Sequence, residues 1–194
     1  GHGSRILSVG SGSYTFLSNL LEHKRMPPPD KTAIRWARPE DAGQIIRLIK
    51  GLAAYENEPK SSIKITEADI HRDGFSEPKR FECLIAELDK EVVGFALFFH
   101  NYSTWEGRPG IYLEDLYVEE KARGTGLGKY LMAALAKLAQ ERDCERLELS
   151  VLDWNPTRDF YHAVDCTHME TWLPYRMEGA AILALAAEAP DIAK

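Results

Sequence analysis

One stretch limits what this chain can fold into more than any other. It is Tyr112-Leu113-Glu114-Asp115-Leu116-Tyr117-Val118, followed after four intervening residues by Arg123-Gly124-Thr125-Gly126-Leu127-Gly128-Lys129. The first run has the apolar content of a strand, and the apolar residues between Gly126 and Arg142 recur at helical spacing. Strand, glycine turn and helix therefore follow one another directly. A helix entered through such a turn offers N–H groups without intrahelical partners at the positive end of its dipole, and the glycines let backbone approach a bound anion. Phosphate is the natural guest. Two familiar phosphate motifs do not match. A P-loop would need Gly where Arg123 stands and Ser or Thr where Tyr130 stands, and a dinucleotide fingerprint counted from Gly124 would need Gly in place of Lys129.

The rest of the pattern reads as an α/β chain. Residues 33–37 alternate like a strand, and Pro39-Glu40-Asp41 opens a helical run carrying Ile45, Ile46, Leu48, Ile49 and Leu52. A short helix capped by Thr66 is expected over 65–70, then strands over 82–88, 91–102 and 109–118. After the helix over 126–142, the pattern predicts a strand over 146–152, a short helix over 156–163, a late strand over 172–177 and a helix over 179–188. Simple alternation places Glu114 and Asp115 on opposite faces of their strand. Residues 1–31 are expected to stand apart from a single domain over 32–194. Gly1-His2-Gly3-Ser4 looks like a tag remnant, and the stretch ending in Pro27-Pro28-Pro29 reads as a leader.

Composition excludes several classes of function. A chain of 194 residues, 44% hydrophobic, buries enough surface to fold without metal or disulfide. Cys83, Cys144 and Cys166 form no C-x-x-C pair and are odd in number, which suits a reducing compartment such as the cytoplasm. The six histidines include no H-E-x-x-H, so no metal site is expected. With 30 acidic against 24 basic residues, the chain lacks the electrostatic footprint of a nucleic-acid binder but is compatible with a cationic substrate. No apolar run reaches the roughly 18 residues of a membrane span.

The glycine turn does fit Arg-x-x-Gly-x-Gly, on Arg123, Gly126 and Gly128, and here the chain resembles the GNAT N-acetyltransferase superfamily. The likeness runs from about Ala33 to Ala187. Through Tyr55-Glu56, Tyr102-Ser103-Thr104-Trp105, Ile111-Tyr112-Leu113-Glu114-Asp115, Leu152-Asp153-Trp154-Asn155 and Phe160-Tyr161 it is similar to the diamine acetyltransferases, the spermidine/spermine N1-acetyltransferase group. Ser103-Thr104-Trp105 looks most like that group's thialysine-acetylating branch. This resemblance implies the GNAT fold, an α/β architecture with a mixed, mostly antiparallel central sheet flanked by helices. It further implies acetyl-CoA as cosubstrate with no metal, a small cationic amine as acceptor, direct attack in a ternary complex, and a homodimer. Carried over by position, it implies that Leu116, Tyr117 and Val118 hold the pantetheine arm. Arg123, Gly124, Thr125, Gly126, Leu127, Gly128 and Lys129 would hold the pyrophosphate, while Asn155 and Tyr161 contact the cofactor. Asn155 also reads as a helix N-cap with Pro156 at the first helical position.

An alkylammonium with a pKa near about 10.4 must lose a proton before it can attack a thioester. Glu114 matches the family's acidic position and is the expected proton acceptor, acting through water; its plain alternative is a strand-edge carboxylate in a salt bridge. Tyr161 would donate a proton to the departing thiolate, or else anchor its short helix. Tyr55, Glu56, Trp105, Glu114 and Glu170 are the candidate amine-binding residues, through charge and cation–π attraction. Two positions depart from the family. Tyr161 lies six positions after Asn155 where seven are usual, and Asp165-Cys166 replaces a Gly-Ala pair. Two further readings remain open, a protein or peptide N-acetyltransferase and a CoA-binding module with impaired catalysis.

Overall fold

The computed structural model describes residues 31–191, which form two compact units meeting in sequence between Leu152 and Asp153. The tag remnant and nearly all of the leader lie outside the described residues.

The first unit is built on one five-stranded sheet, ordered as in the sequence: β1 (Thr32–Trp36), β2 (Glu82–Leu88), β3 (Glu91–Ser103), β4 (Arg108–Val118) and β5 (Leu147–Leu149). Neighbours from β1 to β4 are antiparallel, and β5 joins β4 in parallel. The helices are α1 (Ala42–Tyr55), α2 (Glu67–Ile70) and α3 (Leu127–Glu141). This is the mixed, mostly antiparallel sheet flanked by helices that the resemblance implies. Thr66 caps α2 as expected, its hydroxyl accepting from the Asp69 N–H at 3.2 Å while the Asp69 carboxylate accepts from the Thr66 N–H at 2.9 Å.

β3 is the central strand, buried without interruption from Val93 to Phe98, so both faces must be covered. Ile45, Ile46 and Leu48 of α1 pack with Ile85, Phe95 and Leu97 on one face. The alternate residues Leu84, Ala86, Ala96 and Phe98 leave the other face to α3, whose Leu127, Leu131, Met132 and Leu135 are buried. Each such side chain removed from water contributes about 1.5–3 kcal/mol. A bidentate Arg35–Asp41 pair, at 2.7 and 2.9 Å, ties β1 to the turn that starts α1. That contact holds the Asp41 carboxyl below the usual range.

Simple alternation fails in β4. The β3–β4 pairing runs Leu97↔Asp115 and then Phe98↔Leu113, so Glu114 is an extra residue opposite β3, a β-bulge. Directly paired residues share a face. Asp115 therefore lies with Leu97 on the α1 side, whereas unbroken alternation from Leu113 would have sent it to the α3 side.

The second unit carries α4 (Thr157–Ala163) and α5 (Ala180–Ala186). The Asn155 side-chain oxygen accepts the Thr157 N–H at 2.9 Å and Pro156 has helical dihedrals, so Asn155 is the cap that the sequence implies. The end of α4 is closed by Asp165 N–H to His162 O at 3.1 Å and Cys166 N–H to Tyr161 O at 3.0 Å. Asp165 stands at φ +63°, the left-handed position that usually takes Gly.

Two strand expectations are corrected. The strand predicted over 146–152 shrinks to Leu147–Leu149, and the strand predicted over 172–177 is not formed in the described residues. Pro174 interrupts that run and cannot donate a ladder hydrogen bond, and Trp172, Leu173, Tyr175 and Met177 are exposed rather than alternately buried.

Candidate active site

A gap in the sheet prepares the site. The β4–β5 ladder covers only Ile111, Tyr112 and Leu113, whereas the β3–β4 ladder continues to Val118↔Gly94. From Asp115 to Val118, β4 thus keeps one paired edge, and among the described residues no strand pairs its other edge. Backbone groups on that edge, apart from the Val118 carbonyl, which accepts from Arg123 Nε at 3.1 Å, can pair with an extended, amide-bearing ligand in strand fashion.

The glycine turn lies directly beyond. Gly124 and Gly126 have φ +78° and +87°, which side chains on L-residues resist. A Cβ at Gly124 would meet nothing within 4 Å, so the turn is open there. The Thr125 hydroxyl donates to Ala122 O at 2.7 Å and ties the turn to itself. In α3 the first backbone bond runs from Tyr130 N–H to Gly126 O at 3.0 Å, so the N–H groups of Leu127, Gly128 and Lys129 precede it. Arg123 and Lys129 are exposed cations beside them. The turn suits a diphosphate.

Five of the expected residues meet near this edge. Arg123 sits over the Tyr55 ring at 4.7 Å, with Tyr117 at 5.9 Å, which joins the end of α1 to the turn. Glu56 and Glu114 are close enough to act on Asp115: burial chiefly, then the charges of Glu114 and Glu56, pushes the Asp115 carboxyl up to about 6. Burial, then the charge of Glu58, raises Glu56 as well. Glu114 itself is exposed at the bulge.

Trp105 is not brought to this group. It lies 85% exposed at the tip between β3 and β4, and from Arg108 to Glu114 the strand takes six steps of about 3.4 Å, roughly 20 Å. Asn155, Tyr161 and Glu170 belong to the second unit, with Tyr161 on α4 edge-on to Phe160 at 5.3 Å and Glu170 exposed. Asp115 is the site residue that alternation alone misses, because a bulge leaves no trace in the pattern of apolar residues. Its signal is the adjacent pair of acids in an otherwise apolar strand. Among the described residues, no group of three or more His, Cys, Asp or Glu side chains could hold a metal ion. Nor is any helix among them long and apolar enough to cross a membrane.

A model of the acetyltransferase (GNAT) family matches residues 48–164, which include most of α1, the open edge of β4, the glycine turn and α3. The chain belongs to the GNAT acetyltransferase family. Its likeness to curated GNAT relatives extends along most of its length. A thialysine N-epsilon-acetyltransferase from Bos taurus is 41% identical over 165 residues, covering 79% of this chain and 96% of that protein. A spermidine/spermine N(1)-acetyltransferase-like protein 1 from Homo sapiens is 35% identical over 175 residues, covering 84% of this chain and 25% of that protein. Among solved structures, an integron cassette protein from the mobile metagenome of V. cholerae matches with a TM-score of 0.68 at 25% identity, over 81% of this chain and 99% of that one. The present GNAT chain is an N-acetyltransferase.

Proposed function

We propose that this enzyme transfers acetyl from acetyl-CoA to the primary amine of a small polyamine, diamine or lysine-like amino acid. The observation that carries the reading is the unpaired edge of β4 running into an open glycine turn and the start of α3. An extended amide arm fits the edge and a diphosphate fits the turn, which are the two chemical parts of CoA. Leu116, Tyr117 and Val118 bind the arm, and Arg123 to Lys129 bind the diphosphate. Bound there, acetyl-CoA would supply the acyl thioester.

Glu114, exposed where the bulge breaks the ladder, takes the ammonium proton through water and releases it to solvent. The freed nitrogen bonds to the acyl carbon as the carbon–sulfur bond breaks and gives up its second proton to solvent; the resemblance implies that Tyr161 would protonate the departing thiolate and be reprotonated from solvent. Glu56 and Asp115 give the amine an anionic surround, which favours a small cation over a neutral acceptor. Relatives that carry thialysine and spermidine/spermine in their names support this acceptor class over a protein N-terminus. The resemblance implies that Asn155 would contact the cofactor and Glu170 the amine, whereas Trp105, at the tip roughly 20 Å along β4 from Glu114, is not assigned to the amine. Three free cysteines among the described residues support a reducing, cytoplasmic setting, and the diamine acetyltransferase resemblance supports a homodimer.

Steady-state turnover with acetyl-CoA across diamines, polyamines, lysine analogues and N-terminal peptides tests the proposal. Small amines are expected to turn over fastest. In Glu114→Gln the rate falls most near neutral pH and recovers at high pH, where the amine is already deprotonated. Turnover of peptides alone would overturn the acceptor class. CoA binding without turnover of any amine would overturn the catalytic reading, and parallel pH profiles would remove Glu114 as the base.

A further inference from the structure

Arg123 has an unusual setting for an exposed cation. Its Nε donates to Val118 O at 3.1 Å, its guanidinium lies over the Tyr55 ring at 4.7 Å with the Tyr117 ring at 5.9 Å, and no described carboxylate pairs with it. The two terminal nitrogens, four of the five N–H donors of the side chain, remain available for phosphate oxygens. Tyr117 is itself held in place. An added Cβ at Gly51 would stand 2.9 Å from the Tyr117 ring and hydroxyl, so the ring lies directly on the backbone of α1. Gly51 and Tyr55 are four residues apart and share a face of that helix.

We infer that Tyr55 is a positioning residue for the CoA diphosphate, acting through Arg123, rather than a contact for the amine. This rests on the acetyl-CoA reading of the glycine turn. An exposed arginine loses much rotamer freedom when it grips a phosphate. Two rings and one carbonyl have already removed most of that freedom here, so the fork waits in place. The two tyrosines do so from different elements. Tyr117 gives its ring to the arginine from β4, and Tyr55 closes the stack from the end of α1. Helix α1, which has no part in the glycine turn, thereby sets how tightly the turn holds its anion.

Calorimetry with CoA and with pantetheine, which lacks the diphosphate, tests this. Tyr55→Leu is expected to weaken CoA about 2- to 30-fold, the range of a cation–π contact, and to leave pantetheine binding unchanged. Tyr55→Phe, which keeps the ring face, retains most of the CoA affinity. In an Arg123→Ala background, Tyr55→Leu should have no further effect, because the group through which it acts is gone. Thermal unfolding of each variant checks that the fold is intact. Equal weakening in both backgrounds, or a raised amine KM with CoA affinity unchanged, would overturn the inference while leaving the cofactor reading in place. Failure of the parent protein to bind CoA would overturn both.

Discussion

Asp115→Asn should make the protein more stable, and the gain should depend on pH in a defined way. The Asp115 carboxyl is pushed from its ordinary 3.8 up to about 6, first by burial and then by Glu114 and Glu56. A raised acid binds its proton more tightly in the folded than in the unfolded chain, so folding is penalised as pH rises from about 4 through about 6. Above that window the penalty is complete. A shift of about two units at 1.36 kcal/mol each makes it about 3 kcal/mol, an upper bound because solvent reaches part of the side chain. Asparagine keeps the shape and cannot ionise. Urea unfolding at intervals from pH 4 to pH 8 should show little difference between variant and parent at the acid end and a gain of about 1–3 kcal/mol at pH 7–8. Adding Glu114→Gln should shrink that gain, because one of the repelling charges is gone. A gain independent of pH, or none, would refute the placement of Asp115 among buried neighbours and like charges.

Gly126→Val should abolish CoA binding by calorimetry and cost about 1–2 kcal/mol of stability, because φ +87° excludes a β-branched residue; full affinity in a folded variant would refute the diphosphate cradle. Gly51→Ala, a change that ordinarily stabilises a helix by about 1 kcal/mol, should instead destabilise by about 1–3 kcal/mol in urea unfolding, since the new Cβ meets the Tyr117 ring at 2.9 Å. Asp165→Gly should raise stability by about 1 kcal/mol, because glycine adopts φ +63° freely; an unchanged melting temperature would show that the carboxylate compensates locally.

Elements set by local periodicity are legible in the amino-acid sequence alone. The alternation of residues 33–37, the apolar spacing of Ile45, Ile46 and Leu48, and the cap at Thr66 each depend on neighbours a few positions away, and each element forms where the pattern puts it. The glycine turn is legible for the same reason, since Gly124 and Gly126 answer a backbone requirement of their own residues. The late strand fails to form because alternation describes only one side of a ladder. A strand exists when a partner supplies hydrogen bonds, and no described segment pairs with residues 172–177. The bulge at Glu114 likewise comes from pairing two strands of unequal count, which no single segment records. That one inserted residue decides which face Asp115 takes and places it among the other carboxylates. The early end of the β4–β5 ladder opens the edge of β4, and the packing of Tyr117 on Gly51 brings a ring from the sheet to an arginine in the turn. Such contacts join residues far apart in the chain, so they are settled only when the elements have been packed against one another.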